Sequence, residues 1–269
     1  MRRHTLVDFF RDYIGAASHG GKTFILHDNG FVTRTWSYGQ VAASAEAFAR
    51  RLRSAGVGPG DAVVIWGENR AEWIAALWGA RLASAVTVPV DFRASADQAH
   101  RIRAIVNARV MVVGADVEPR EGEGYVIWRM DDAHVWNPGP GTERAEPAEP
   151  AERSERSELA EIIFTSGATA EPKGVTLTDR NILANIHPIE DELGRYRAWL
   201  TPLAPIRFLN LLPLSHMFGQ SLATFVPPML GGAVVFSRGY NPQEIVRQIR
   251  SRRVSVLVCV PKVLEVLTE

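Results

Sequence analysis

The sequence predicts an α/β fold in which stacked, mostly parallel sheets are covered by helices. Continuous apolar runs of strand length, such as Ala62–Trp66, predict buried strands, and segments with helical periodicity separate them. Alternating strands and helices are typical of parallel sheets with helices on both faces. The chain has 269 residues, of which 46% are hydrophobic, so it can build the core of one large domain or two small ones.

A β-hairpin is predicted near the start of the chain. The turn residues Asp28-Asn29-Gly30 separate the β-prone runs Phe24–His27 and Phe31–Trp36, and an Asn-Gly pair is typical of hairpin turns. Ser37 followed by Gln40 predicts a capping box at the start of the next helix. The rest of the first half is predicted as a helix ending near Ala55, the strand Ala62–Trp66, the helix Arg70–Ala83, the strand Ala85–Val90, the helix Ser95–Asn107 and the strand Val110–Val113.

A polar segment, Asn137–Ser157, divides the chain into residues 1–136 and 158–269. It opens with Pro and Gly and continues as Glu, Arg, Ala, Pro and Ser, a composition too polar to bury. It is therefore interpreted as a solvated linker or a long surface loop. A functional charged tether is the less favoured alternative, because such charge blocks are usually only solvated.

After this segment the alternation resumes. The predicted elements are the strands Glu161–Thr165 and Val175–Leu177, the helix Asp179–Trp199, the strand Phe208–Leu212, the helix His216–Leu230, the strand Ala233–Phe236, the helix Pro242–Arg252, the strand Ser255–Val260 and a helix from Pro261. The last helix stops at Glu269 without a capping glycine, so we expect a truncated domain whose remainder lies beyond this chain.

Composition excludes several classes of protein. Thirty Lys+Arg balance thirty Asp+Glu, so no overall basic field attracts nucleic acid. No apolar run reaches the roughly 20 residues that a membrane span needs. Asp8, Arg11 and Asp12 interrupt the apolar part of the N-terminus, which argues against a secretory signal. The single cysteine, Cys259, excludes a disulfide framework, and a cytoplasmic location is expected.

The most informative segment is the turn TSGATAEPKG at residues 165–174, between two predicted strands. Small residues let backbone N–H groups approach an anion closely, hydroxyl groups add donors, and the lysine adds a full positive charge. The turn therefore suits phosphate oxygens. The candidate binding residues are Thr165, Ser166, Gly167, Ala168, Thr169 and Lys173.

A Walker-type phosphate loop does not fit this turn. Gly167 and Lys173 have the required separation, but Pro172 replaces the second glycine and Gly174 replaces the magnesium-binding hydroxyl. The segment after Lys173 is predicted as a strand, whereas a Walker loop opens a helix. The kinase and GTPase interpretations are therefore rejected.

The segment Thr165–Val175 resembles the signature of the adenylate-forming superfamily, which includes acyl-CoA synthetases, luciferases and adenylation domains of nonribosomal peptide synthesis. It matches the usual Thr-Ser-Gly-(Ser/Thr)-Thr-Gly-x-Pro-Lys-Gly-Val pattern apart from Ala168 and Ala170. Leu212–Gly219 (LPLSHMFG) is similar to the acyl-site motif of the acyl-CoA synthetase and long-chain fatty-acid–CoA ligase type, and Gly67–Arg70 is similar to an earlier family segment.

The resemblance implies a two-step ligation. A carboxylic acid, expected to be a fatty or other apolar acid, attacks the α-phosphorus of ATP to give acyl-AMP and pyrophosphate. The thiol of coenzyme A, or of a carrier-protein pantetheine, then takes the acyl group. The resemblance implies that the loop and Lys173 hold the β- and γ-phosphates and that His216 lies near the adenylate and the acid, so His216 and Lys173 are the candidate catalytic residues.

The same resemblance implies Mg²⁺, whose ligands are expected outside this chain, so no metal-binding residue is assigned within it. The ribose-binding aspartate and the mobile C-terminal domain are expected there too. Residues 1–136 and 158–269 are then parts of one adenylation domain. The fragment alone is expected not to complete adenylation, although the full-length protein is expected to be a ligase.

Two alternative functions stay open at this point. Ala168 removes one hydroxyl donor and Ala170 replaces a glycine, which leaves a degenerate nucleotide- or phosphate-binding relative without ligase activity as the second hypothesis. An interaction scaffold, resting on Asn137–Ser157, is the third.

Four other features have simpler interpretations. The helix start at Glu68-Asn69-Arg70 is interpreted as a cap with surface charge. Cys259 is interpreted as a small buried hydrophobe. Three tryptophans are predicted to lie in the core and three arginines at a solvated helix end: Trp66, Trp73 and Trp78, and Arg250, Arg252 and Arg253.

Overall fold

The computed structural model describes residues 3–28, 30, 32–136, 158–165, 172–237 and 239–268. Over these residues the chain forms one five-stranded and one six-stranded sheet, with helices packed against them. Most neighbouring strands run parallel, which confirms the predicted fold class.

The strands are β1 (Thr23–Asp28), β2 (Thr33–Ser37), β3 (Ala62–Gly67), β4 (Val86–Asp91), β5 (Val110–Val113), β6 (Val126–Arg129), β7 (Leu159–Thr165), β8 (Lys173–Thr178), β9 (Arg207–Asn210), β10 (Ala233–Ser237) and β11 (Val256–Val258). The α-helices are α1 (Leu6–Phe9), α2 (Tyr38–Ser54), α3 (Ala71–Leu82), α4 (Ala96–Val106), α5 (Ala133–Trp136), α6 (Asp179–Leu200), α7 (Met217–Gln220), α8 (Val226–Met229), α9 (Pro242–Arg252) and α10 (Pro261–Thr268). Short π-helical turns at Phe10–Ile14 and Ser221–Phe225 extend α1 and α7, and Thr201–Leu203 is a 3₁₀ turn.

The six-stranded sheet has the order β6-β5-β3-β4-β7-β8. Its first five strands are parallel, and only β8 is antiparallel to its neighbour, β7. Strands β3 to β6 precede the segment Asn137–Ser157 and strands β7 and β8 follow it. Residues from both sides of that segment therefore build one sheet.

The five-stranded sheet has the order β11-β9-β10-β1-β2. It is parallel except for the β1–β2 hairpin that the sequence predicted, in which Asp28 pairs with Thr33. The Asp28 carboxylate accepts hydrogen bonds from the backbone N–H of Gly30 and the hydroxyl of Thr33, so it closes the turn. Asn29 and Phe31 of the predicted hairpin lie outside the described residues.

Helices α2 and α3 join the two sheets into one core. The first contacts β1 and β2, the second contacts β3 and β4, and the two helices contact each other most extensively. Gly79 allows this approach, because a Cβ there would lie 2.6 Å from the carbonyl oxygen of Ala45. Trp66, Trp73 and Trp78 are all buried, as predicted.

The structure corrects several predicted boundaries. The predicted helix His216–Leu230 is divided into α7, a π-helical turn and α8, and α8 contains Pro227 and Pro228, whose nitrogens cannot continue the helical hydrogen bonding. The predicted strand Phe208–Leu212 ends at Asn210, because the backbone N–H of Leu212 donates to the Asn210 side chain. Strand β11 is likewise shorter than the predicted Ser255–Val260.

Three short elements were not predicted from the sequence: α1, β6 and α5. The N-terminal segment was considered only as a possible signal, yet Thr5 and Asp8 form a capping box at the start of α1. Among the described residues, no helix is both long and apolar enough to cross a membrane.

Candidate active site

The predicted phosphate turn lies at the end of the six-stranded sheet where β7 leads into β8. Thr165, the last residue of β7, pairs with Lys173, the first residue of β8, and the Thr165 hydroxyl donates to the Lys173 carbonyl oxygen at 3.5 Å. Both residues are exposed, so the Lys173 ammonium group is accessible to a ligand. The other candidate phosphate residues, Ser166, Gly167, Ala168 and Thr169, lie outside the described residues.

His216 lies at the start of α7, in the loop that leaves β9. Its Nε2 is 3.7 Å from Oδ2 of Asp91, the last residue of β4. Strands β4 and β7 are parallel neighbours, with Thr87 opposite Glu161, and they end at Asp91 and Thr165. Because parallel strands end at a common edge, the fold brings His216 and Thr165, the last described residue before the turn, to the same edge of the sheet.

Asp91 was not singled out in the sequence. It receives hydrogen bonds from Arg93 of 3.0 Å to Oδ1 and 2.7 Å to Oδ2, and it faces His216 through the same carboxylate. Burial raises the pKa of Asp91, but the hydrogen bonds from Arg93 outweigh it and hold the pKa below its ordinary value. Asp91 is therefore an anion that is hydrogen-bonded to Arg93 and lies 3.7 Å from His216. Its position at the carboxyl end of a buried parallel strand was the available signal.

The loop before His216 is held by two asparagines. Asn210 donates to the carbonyl oxygen of Gly219 at 3.1 Å and accepts from Leu212 N–H at 3.1 Å. Asn69, from the other sheet, donates to the carbonyl oxygen of Leu212 at 2.8 Å and accepts from Leu214 N–H at 2.9 Å. The backbone that carries His216 is thus fixed against both sheets.

Asn69 consequently has a different role from the predicted helix cap. Helix α3 begins at Ala71 with Arg70 at the N-cap, and no side chain caps it. The Asn69 amide instead satisfies one carbonyl and one N–H group of a loop 143 and 145 residues further along the chain. That partner is far away in sequence, and only the tertiary structure reveals it.

Replacing Asn69 by Ala should destabilise the loop that carries His216. The change leaves Leu212 O and Leu214 N–H without their partner, and each unpaired buried group costs about 1–3 kcal/mol. We expect faster amide hydrogen exchange at Leu214 and a lower urea midpoint. Asn185→Ala, which removes an exposed bond to Asn181, is the control. Unchanged exchange at Leu214 would contradict this role for Asn69.

The interpretation of Glu68 and Arg70 as surface charge is wrong. Arg70 is 6% exposed and donates to Glu68 at 3.0 Å and to both oxygens of Glu72 at 2.8 and 3.0 Å. Burial raises the pKa of Glu68, but backbone N–H groups and Arg70 outweigh it, so the pKa of Glu68 is lowered. Arg70 and Glu72 are buried and Glu68 is partly buried, and these three charges neutralise one another.

Two cavities lie next to these residues. The first, of about 470 Å³, is mostly apolar, and His216 and Arg93 contribute polar groups to its wall. Its apolar wall comes from the loop after β9 and from α7, α9 and α10, and includes Leu212, Phe218, Ile245, Val263 and Leu267. Of these segments, only the His216 motif was predicted as part of a site. The other segments are distant from it in the chain, and no local pattern indicates that they meet at this cavity.

The second cavity, of about 570 Å³, lies between the carboxyl ends of strands from the two sheets. Polar side chains line it from both sheets, with His27 and Arg34 contributed by one and Glu68 and Arg70 by the other. Burial and the field of Arg70 lower the pKa of His27. Tyr240 belongs to the walls of both cavities, so the two adjoin each other.

Two of the simpler interpretations are tested by contacts in the five-stranded sheet. Cys259 is partly buried and packs in a cluster with Leu209 and Ile245, and burial raises the pKa of its thiol, consistent with a small hydrophobe. Arg252 is not simply solvated, because it donates to the buried carboxylate of Asp28 at 3.2 Å. Among the described residues, no group of three or more His, Cys, Asp or Glu side chains could hold a metal ion.

A family model described as "AMP-binding enzyme" matches residues 15–269. The chain belongs to the AMP-binding enzyme family. Similar curated proteins include the phenyloxazoline synthase MbtB of Mycolicibacterium paratuberculosis, 31% identical over 87% of this chain and 19% of that protein. A feruloyl-CoA synthase of Amycolatopsis is 25% identical over 84% of this chain and 43% of its own length.

A crotonobetaine/carnitine–CoA ligase of Citrobacter koseri is 23% identical over 94% of this chain and 50% of its own length. The AMP-binding chain thus spans at most about half the length of these relatives. Among solved structures, the nonribosomal peptide synthetase FmoA3 matches with a TM-score of 0.77 and 22% identity, over 98% of this chain and 26% of that one.

The N-terminal domain of FACL13 from Mycobacterium tuberculosis, bound to an inhibitor, matches with a TM-score of 0.73 and 20% identity, over 99% of this chain and 65% of that one. At these identities the two solved structures show a shared fold. The fold predicted from the alternation of strands and helices is therefore shared with FmoA3 and with the N-terminal domain of FACL13.

Proposed function

We propose that the protein carrying this chain activates a carboxylic acid with ATP to give acyl-AMP and pyrophosphate, and then transfers the acyl group to a thiol. The observation that supports the proposal is that Thr165 and His216 lie at the carboxyl ends of neighbouring strands, Thr165 at the end of β7 opposite Lys173 and His216 beside Asp91 at the end of β4, and that His216 lines an apolar cavity. A polyphosphate and an apolar acid can meet there.

Lys173 and Thr165, with the turn between them, are proposed to hold the β- and γ-phosphates. A fixed ammonium group stabilises the negative charge that develops on the departing pyrophosphate, and such electrostatic stabilisation is usually the largest catalytic contribution. His216, which lies 3.7 Å from Asp91 and lines the apolar cavity, is proposed to donate a hydrogen bond to the carboxylate of the acid or to the adenylate. The described residues supply no set of Mg²⁺ ligands, so no step is assigned to that ion.

The cavity of about 470 Å³ supports a finer proposal, an apolar and preferably fatty acid as the substrate. Its wall is mostly hydrocarbon, and burying one CH₂ group of a ligand contributes about 0.8 kcal/mol. Coenzyme A is the proposed acceptor, since relatives are named feruloyl-CoA synthase and crotonobetaine/carnitine–CoA ligase. Carrier-protein pantetheine is the other acceptor to test.

Residues 1–136 and 158–269 are proposed to be parts of one adenylation domain, joined by the polar segment Asn137–Ser157. The 269-residue chain spans about half of its CoA-ligase relatives, and we propose that by itself it binds nucleotide without completing adenylation.

The deciding experiment is pyrophosphate release by the full-length protein with ATP and a panel of acids. The panel contains octanoate, palmitate, ferulate and succinate, and coenzyme A is added in a second series. We expect release that depends on the acid, is faster with apolar acids than with succinate, and yields an acyl-CoA. ATP binding without release for any acid would instead support a phosphate-binding protein that lacks ligase activity.

A further inference from the structure

The buried carboxyl group of Glu161, which the proposed chemistry does not use, connects two elements of the candidate site. These are β7, the strand that ends at Thr165, and α7, the helix that begins directly after His216. Glu161, in β7, is 1% exposed, and its Oε1 accepts a hydrogen bond of 2.6 Å from Nε2 of Gln220, which is also 1% exposed. Gln220 is the last residue of α7, and its backbone N–H donates to the carbonyl oxygen of His216 at 3.0 Å. Two hydrogen bonds therefore connect β7 with the residue at the start of α7.

The surroundings of Glu161 are almost uncharged. Its strand partners are Thr87 in β4 and Leu177 in β8, and the charged group whose field reaches it is Arg81 of α3. Arg81 is itself paired with Asp179 at 3.1 Å. Among the described residues, Oε2 of Glu161 has no hydrogen-bond partner.

This environment favours the neutral acid. Burial raises the pKa of Glu161 to about 7, although the bond from Gln220 and the field of Arg81 act in the opposite direction. A raised pKa means that the folded state holds the proton more tightly than the unfolded state does. The free energy of unfolding therefore falls as the pH rises from the ordinary carboxyl pKa toward about 7, and the loss is complete above it.

We propose that Glu161 is a positioning residue for acid activation: through Gln220 it fixes α7, and with it His216, at a set distance from the strand that ends in the phosphate turn. The inference rests on the proposed function. Reacting groups must be aligned closely, and a misplacement of about 1 Å can cost about 100-fold in rate. The neutral acid holds this contact without a buried charge, whereas ionisation leaves an uncompensated carboxylate under α7.

The test compares kcat and KM of acid-dependent pyrophosphate release for four variants of the full-length protein. Glu161→Leu removes the bond to Gln220 and should lower kcat by about 10- to 100-fold while KM for ATP changes little. Glu161→Gln keeps an acceptor for Gln220 and should retain kcat at pH 6. The exchange Glu161→Gln/Gln220→Glu restores the pair with reversed partners and should recover activity relative to Gln220→Leu.

The pH profile separates positioning from general stability. Wild-type kcat should fall above pH about 7, and this inflection should be absent in Glu161→Gln. Gln248→Leu is the matched control, because Gln248 is also 1% exposed and donates to a buried carboxylate, Asp28, at 2.8 Å. This control should keep the wild-type kcat and pH profile.

Two results would overturn the positioning role: full kcat in Glu161→Leu, or an unchanged inflection in Glu161→Gln. If Glu161→Leu does not fold, the pH profile of Glu161→Gln decides. Absence of acid-dependent release from the wild-type protein is a different outcome, because it rejects the proposed ligase function. In that case, amide exchange in α7 tests the contact: it should be faster in Glu161→Gln/Gln220→Leu than in Gln248→Leu, and equal exchange would reject it.

Discussion

Lys173→Ala should lower the rate of acid-dependent pyrophosphate release by about 100- to 1,000-fold, the effect seen when one preorganised group that stabilises developing charge is removed. Lys173 is exposed at the start of β8, directly opposite Thr165, so its loss removes a positive charge from the turn without opening a cavity in the core. Release is measured with the full-length protein, saturating acid and varied ATP. Pyrophosphate binding should weaken as well.

Two variants define the origin of this effect. Lys173→Arg retains the positive charge and should recover part of the rate, although its planar group differs in shape from an ammonium group. Arg180→Ala removes an exposed charge from the first turn of the neighbouring helix α6 and should leave the rate unchanged. Equal rates for Lys173→Ala and wild type, with pyrophosphate binding intact, would show that this lysine does not hold phosphate.

Arg70→Ala should have the largest effect on stability, lowering the free energy of unfolding by about 3–5 kcal/mol. Arg70 is 6% exposed and neutralises Glu68 and Glu72, so its removal leaves the buried carboxylate of Glu72 and the partly buried carboxylate of Glu68 without their cation. Arg70 also lines the cavity of about 570 Å³ between the sheets. Urea unfolding at pH 7, followed by circular dichroism, measures the change.

The control for Arg70→Ala is a variant that breaks an exposed ion pair. Arg247→Ala breaks the contact with Glu244 on the surface of α9, and such pairs contribute about 0–1 kcal/mol. Because the pKa of Glu68 is lowered in the folded protein, its stabilisation is present above its ordinary pKa and is lost as the pH falls through the lowered one. The difference in the free energy of unfolding between wild type and Arg70→Ala should therefore become smaller at low pH. If Arg70→Ala and Arg247→Ala lower the free energy of unfolding equally, the stabilising role of Arg70 is disproved.

Local patterns in the chain were enough to predict most elements. The capping box of Ser37 and Gln40 forms as predicted, because both halves of the motif lie within one turn of helix. The run Val110–Val113 is a strand with the predicted bounds, since four consecutive apolar residues of high β-propensity suit a strand buried on both faces. The three tryptophans predicted to lie in the core are buried for the same hydrophobic reason.

The predictions that were wrong concern residues whose partners are distant in the chain. Asn69 was interpreted as a cap from its neighbours, yet it binds the loop at Leu212–Leu214. Glu68 and Arg70 were taken as surface charge, since a single sequence does not show that Arg70 is buried between Glu68 and Glu72. Asp91 had no local motif at all, and its pairing with His216 depends on the packing of β4 against the loop after β9.

The amino-acid sequence by itself determined most of the strands and helices, the fold class and the family, because hydrophobic periodicity, caps and the TSGATAEPKG turn are all encoded over short stretches. The tertiary structure alone decided how the site is assembled. It placed His216 beside Asp91, joined Gln220 to Glu161 and closed an apolar cavity with segments from four parts of the chain. These contacts depend on the burial and geometry of groups brought together by folding, and periodicity along the chain carries no information about them.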